Sequence, residues 1–104
     1  MSNPPYLSPE QRAAALAKAA EARRVRAAVR EELRTGEATL ADVLGRDDDE
    51  MIAGMKVKAI LTALPGLGKV KSFRLMDRLG IADNRRVRGL GTQQRKALLE
   101  ELGP

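Results

Sequence analysis

Arg85, Arg86 and Arg88 stand around a single valine, immediately before the tight bend Gly89-Leu90-Gly91. Upstream, the turn Leu64-Pro65-Gly66-Leu67-Gly68 leads directly into Lys69-Val70-Lys71. Guanidinium groups are always charged and hold phosphates through a planar fork of donors. Glycines let a backbone approach its ligand closely, and the first amides of a helix are donors with no partner inside the helix. Both clusters therefore suit a polyanion that is gripped rather than a substrate that is transformed. Gly66, Gly68, Lys69 and Lys71 form one candidate phosphate site, and Arg85, Arg86 and Arg88 form the second.

Catalysis finds little support in the composition. The chain has no cysteine and no histidine, so it lacks a thiol nucleophile, a thiolate metal site and the usual general base. Asp47-Asp48-Asp49-Glu50 lacks the alternating oxygen ligands and central glycine of a calcium loop, and reads instead as a cap for the following helix. No catalytic residue, no cofactor and no metal are expected. The N-terminal MSNPPYLSPEQ has neither the basic opening nor the apolar core of a secretory signal, and no apolar run nears the ~20 residues of a membrane span. The expected compartment is the cytoplasm.

The 104 residues carry a net charge of +5, and its distribution matters more than its sum. Residues 1–34 hold seven basic against four acidic side chains, residues 35–52 one against six, and residues 53–104 eleven against four. A basic body broken by one acidic segment points to a polyanion partner contacted on a defined side.

The elements that must position these groups are helical. Residues 1–7, broken by Pro4-Pro5, read as an extended mobile leader. Ser8-Pro9-Glu10-Gln11 then has the form of a capping box with proline at the first helical position, and an alanine-rich stretch free of Gly and Pro runs to Arg34. At 100° per residue, Arg12, Arg23, Arg26, Arg30 and Arg34 fall on an arc of about 80°, with Glu10, Glu21, Glu31 and Glu32 on the far side. A helix adapted only for solubility interleaves its signs, so Arg23, Arg26 and Arg30 become a third candidate contact with the polyanion.

Gly36 ends this helix, and Thr39 caps a short one closed by Gly45. Val57, Ile60, Leu61 and Leu64 set the inner face of a helix over 56–64. A further helix over 69–79 is expected to bury Val70, Phe73, Met76 and Leu75. Asp83 or Asn84 would cap a single turn reaching Arg88, and Thr92 a final helix to Leu102. No alternation of period two occurs, so the fold class is all-α. A leader and long basic helix occupy 1–34, and a compact domain of short helices occupies 35–104.

Taken together, Ser8-Pro9-Glu10-Gln11-Arg12-Ala13-Ala14-Ala15-Leu16, Ala22-Arg23-Arg24, Met55-Lys56-Val57, Leu64-Pro65 with Gly68-Lys69-Val70-Lys71, and Arg85 to Gly91 resemble the actinobacterial integration host factor family over nearly the whole chain. That resemblance implies a helix-two-turns-helix domain behind a long N-terminal helix. It also implies a monomer of the nucleoid that binds and bends double-stranded DNA with little sequence preference. It extends to a topoisomerase or a phage integrase as protein partners. The chain departs from the family pattern near 45–54, where Ala53-Gly54 stands in place of an expected Gly-Lys.

Two other readings compete. An RNA-binding or ribosome-associated helix-two-turns-helix protein shares the basic charge; the two aromatics offer no stacking platform for sequence-specific or single-stranded RNA, though a reader of duplex RNA needs none. A fragment of a repair glycosylase shares the motif, yet the chain has no Pro-Glu start and no zinc cysteines.

Overall fold

The computed structural model describes residues 7–103 and is helical throughout, with no strand among the described residues. Six α-helices follow in order: α1 Pro9–Thr35, α2 Leu40–Leu44, α3 Glu50–Ala53, α4 Val57–Ala63, α5 Gly68–Arg78 and α6 Thr92–Leu102. A single 3-10 turn, Val87–Gly89, lies between the last two. The leader expected over 1–7 falls, apart from Leu7, outside the described residues.

Local chemistry sets most of the helix ends. The Ser8 hydroxyl accepts from the Gln11 amide at 3.1 Å, and the Gln11 side chain accepts from the Ser8 amide at 2.9 Å. Thr39 and Asp42 repeat this reciprocal pair at the start of α2. The Asp49 carboxylate accepts from the Met51 amide and caps α3, as expected of the acidic run. Gly36 closes α1 with φ at 83°, a left-handed conformation that side chains with a Cβ disfavour.

Two expected caps are not formed. The turn Val87–Gly89 follows extended Arg86 with no side-chain cap, and Asp83 instead pairs with Lys58 at 3.0 Å. Helix α6 is capped from Gly91, whose amide donates to Gln94, so Thr92 is already helical.

The core is aliphatic. Val29 and Leu33 of α1 pack with Leu40, Val43, Leu44, Ile52, Met55, Val57, Ile60, Leu61, Leu75, Met76, Ile81, Val87, Leu90 and Leu98. Leu67 packs against its edge as the plug of the hairpin, and Leu90 is buried rather than presented as a wedge.

The inner face of α5 differs from expectation. Ser72, Leu75 and Met76 are buried, with Leu79 against the core, whereas Val70 is 64 % exposed and Phe73 58 % exposed. Positions 72, 75, 76 and 79 share one face at helical spacing. The hydroxyl of Ser72 donates to the Gly68 carbonyl at 2.6 Å, so its burial leaves no polar group unpaired. The larger leucine and methionine pair settles the face, and Phe73 turns to solvent.

Helix α1 spans about 40 Å at 1.5 Å per residue, but only its C-terminal half packs on the body. Residues 9–19 are exposed throughout, and Leu16 is 65 % exposed. The protruding helix raises the radius of gyration to 16.0 Å, against about 13 Å for a compact chain of this length.

Gly68 opens α5 with φ at 64°, where no neighbouring atom blocks a Cβ but the backbone itself is left-handed. Gly68→Ala should therefore cost about 1–2 kcal/mol through backbone strain alone, measurable as a melting temperature lowered by roughly 5–10 °C. An unchanged melt would refute the turn geometry.

The pH dependence follows from the carboxylates. Hydrogen bonds from the Thr39 amide and hydroxyl hold Asp42 below its ordinary value of 3.8. Hydrogen bonds from Arg34 and Arg78 hold Glu31 and Glu101 below 4.5. Depressed carboxylates contribute fully above the unfolded range and lose that contribution as pH falls through their folded values. Melts should be flat from neutrality down to about pH 5 and then decline. A melting temperature that rises on acidification would contradict these contacts.

Candidate nucleic-acid interface

Two short segments far apart in sequence build the centre of the site. The Val57 amide donates to the Arg85 carbonyl and the Val87 amide to the Met55 carbonyl, each at 2.9 Å, pairing Lys56 with Arg86 in an isolated antiparallel bridge. With the hydrogen bonds on the flanking residues, the bridged pair is the close kind, its side chains adjacent. Side chains alternate across such a pair. Met55, Val57 and Val87 enter the core, while Lys56 and Arg86 project to solvent.

That alternation divides the arginine cluster. Arg86 lies on the surface, where its guanidinium donates to the Gly54 carbonyl. Arg88 is exposed beside it and borders a shallow hollow shared with Lys18, Arg26, Arg86 and the acidic Glu50. Arg85 is half-buried instead, donating to the Gly89 carbonyl at 2.8 Å and to Gln94 at 2.9 Å. Its guanidinium holds the turn to α6 and is turned away from the groove. A Cβ at Gly54 would lie 2.9 Å from the Arg88 guanidinium, the far end of an exposed and flexible side chain that can move aside.

The α1 arginines face this centre. Arg23, Arg26 and Arg30 line one concavity of about 660 Å³ with Lys56 and Arg86, floored by Ala27 and Ala59. The two alanines leave room between the walls of α1 and α4. No acidic residue lines this groove, and none of its five cations has an ion pair among the described residues. Arg30 continues into a second hollow with Arg34, Pro65, Gly66 and Gly68, where the first turn of α5 has no side-chain cap. Glu31 also reaches this hollow and pairs with Arg34 instead of occupying the far side of the helix, while Glu32 pairs with Arg46.

The hairpin lysines separate. Lys69 borders a concavity with Lys56, Lys58 and Phe73 next to the groove. Lys71, two positions on and about 200° around the helix, lies on another side with Arg74, Arg78 and Glu101. Lys56 is the residue that sequence reasoning missed. The segment Met55-Lys56-Val57 carries part of the family resemblance, but nothing local assigns Lys56 to the site, because its place there comes from being paired with Arg86.

A long helix laid against a body of short helices, with a glycine hairpin and an unpaired basic groove, defines a helix-two-turns-helix protein with a basic face. Residues 33–102 match the model of the S13-like H2TH domain. The chain belongs to the integration host factor family of actinobacteria. It is 54 % identical over 100 residues to the Integration host factor of Mycobacterium tuberculosis, covering 95 % of each chain. It is 51 % identical over 100 residues to that of Streptomyces coelicolor, covering 95 % of this chain and 94 % of the relative. Among solved structures, sIHF bound to an 8bp palindromic DNA is 47 % identical, superposes with a TM-score of 0.80, and covers 83 % of this chain and 98 % of that one. The expected family and all-helical fold class are thus borne out.

The division within the arginine cluster is open to direct test. Replacing Arg26, Lys56 and Arg86 together with alanine should weaken duplex binding by orders of magnitude with little change in melting temperature. Arg85→Ala should do the reverse, lowering stability by about 1–2 kcal/mol through two lost hydrogen bonds while affinity stays near wild type. Equal loss of affinity in both variants would overturn the division.

Proposed function

We propose that the chain binds double-stranded DNA through its phosphates, with little sequence preference, and bends it. The observation that carries this reading is the single concavity in which Arg23, Arg26, Arg30, Lys56 and Arg86 meet and whose lining includes no acidic residue. Five mutually repelling cations are relieved by an anion of matching extent, and a phosphate backbone supplies regularly spaced charges. Base recognition needs side chains that reach into a groove with distinct donor and acceptor patterns, and this surface offers mainly cations and alanines. Affinity should therefore depend on charge more than on sequence. The solved relative carrying the same fold, sIHF, is described as bound to DNA, which favours duplex DNA over RNA as the ligand.

Within this reading, residues 35–104 grip the duplex and the helix in 1–34 acts as an extended wall along it. The free amides opening α5 at Gly68, with Arg30 and Arg34 nearby, receive a phosphate beyond the groove. Contacts on α1 and at the hairpin then hold two separated stretches of the same backbone, the condition for a bend. The protein acts in the cytoplasm on the nucleoid, as a monomer and as an architectural factor rather than a catalyst. Recruitment of a topoisomerase or an integrase would build on the bent complex.

Fluorescence anisotropy on a labelled duplex at several salt concentrations tests the electrostatic core of this reading. With about five phosphates engaged, log K should fall linearly against log salt with a slope near −4 to −5. Each groove cation removed should reduce that slope by roughly one. Resonance energy transfer between labelled duplex ends should rise on binding. A salt-independent affinity, or an unbent duplex at saturation, would overturn the proposal.

A further inference from the structure

Phe73 is one of two aromatics in the chain, yet it stands on the outer face of α5, 58 % exposed, one turn from Val70, which is 64 % exposed. Burying a phenylalanine contributes about 1.5–3 kcal/mol, so a ring left in water forgoes a stabilisation that the aliphatic core lacks elsewhere. Its surroundings are specific. The ring borders a concavity of about 390 Å³ with Lys56, Lys58, Lys69, Ala59, Thr62 and Asp83. Asp83 is occupied by Lys58, and Lys56 and Lys69 have no ion pair among the described residues.

The position of this hollow narrows its occupant. Lys56 and Ala59 line both it and the arginine groove, so the two surfaces are continuous. A phosphate backbone leaving the groove past Lys56 meets an aromatic face flanked by ammonium groups. An intact duplex keeps its bases stacked inward and has no use for such a ring. An unpaired nucleotide has both a flat π-face and a phosphate, and aromatic rings beside cations are how proteins hold unpaired bases. The hollow lies toward the small end of ligand pockets, a size for one nucleoside and not for a helix. The stacking platform missing from a core-bound Phe73 reappears once the ring is found in solvent.

We propose that Phe73, framed by Lys56, Lys58 and Lys69, stacks against an unpaired nucleobase of DNA held in the adjoining groove. The chain then prefers a duplex carrying a bulged or frayed nucleotide to one that is fully paired. This inference rests on duplex binding in the arginine groove, and failure of the two is separable.

The chain contains no tryptophan, so Phe73→Trp places a single fluorescent reporter at the platform. The full-length variant is titrated with a duplex of about two helical turns and with the same duplex bearing one extra unpaired nucleotide. Quenching by the bulged duplex, with little change on the intact one, is the expected result. In parallel, Phe73→Ala should bind the bulged duplex about 5- to 100-fold more weakly and the intact duplex as wild type does. Circular dichroism should be unchanged, since the ring is outside the core.

Equal weakening for both duplexes, or no weakening for either, would overturn the platform. So would a fluorescence change that depends on protein concentration without DNA, which would mean that a second copy covers the ring. Weak binding of the intact duplex by the wild type would sink the groove reading itself, whereas indifference of Phe73→Ala beside a working groove would sink only the platform.

Discussion

Two backbone hydrogen bonds, Val57 to Arg85 and Val87 to Met55, are the constraint on which the functional surface depends. Each contributes only about 1 kcal/mol net to stability. Their importance lies in register. They set Lys56 beside Arg86 on the outer side while Met55, Val57 and Val87 fill the core beneath. A slip of one residue would exchange the two sides, sending the cations inward and the valines to solvent. The buried side therefore holds the charged side in place, and the mutual repulsion of the groove is supported by the aliphatic packing under it.

Helix α1 serves the same surface from the opposite wall. Val29 and Leu33 anchor it in the core, and Arg23, Arg26 and Arg30 project from the same turns toward Lys56 and Arg86. One helix can do both because residues three and four apart share a face while neighbours in sequence do not. Its first eleven residues, 9–19, have no such anchor, so they extend beyond the body with their own capping box as the main local restraint.

The acidic residues acquire a role from where they are found. Asp47 pairs with Arg95, whose guanidinium also donates to the Leu44 and Val87 carbonyls, tying α6 to α2 and to the 3-10 turn. Glu32 pairs with Arg46, Asp83 with Lys58 and Glu101 with Arg78. Exposed pairs of this kind add little stability. Their effect is on the distribution of charge, since they neutralise cations elsewhere on the body and leave those within the groove without ion pairs. The acidic segment thus belongs to the packing of the body and to the cap of a helix, and its last member, Glu50, stands in the hollow beside the groove and outside the groove's own lining.

Much of this was legible in the residues alone. The all-helical class, the start and end of α1, the stop at Pro65, the left-handed glycines and the leucine core depend on neighbours within a turn or two, and local sequence carries that information. Residue types and spacing marked the hairpin and the arginine cluster as candidate phosphate sites, and the family resemblance mapped onto the same residues. Three matters were beyond local reach. Phe73 and Val70 were expected inside because they are apolar, but the face of α5 was decided by the fit of Ser72, Leu75 and Met76 against the body. Arg85 looked equivalent to Arg86 until alternation across the bridge turned it toward Gln94. Lys56, quoted only within the family-like segment Met55-Lys56-Val57, was assigned to no site because its partner lies thirty positions away in the bridge Lys56 to Arg86. Composition and short-range pattern determined which helices form and that the partner is a polyanion. Which cations meet in one groove, and which aromatic ring stands beside it, was decided by long-range packing, because only the folded core chooses the side from which each side chain emerges.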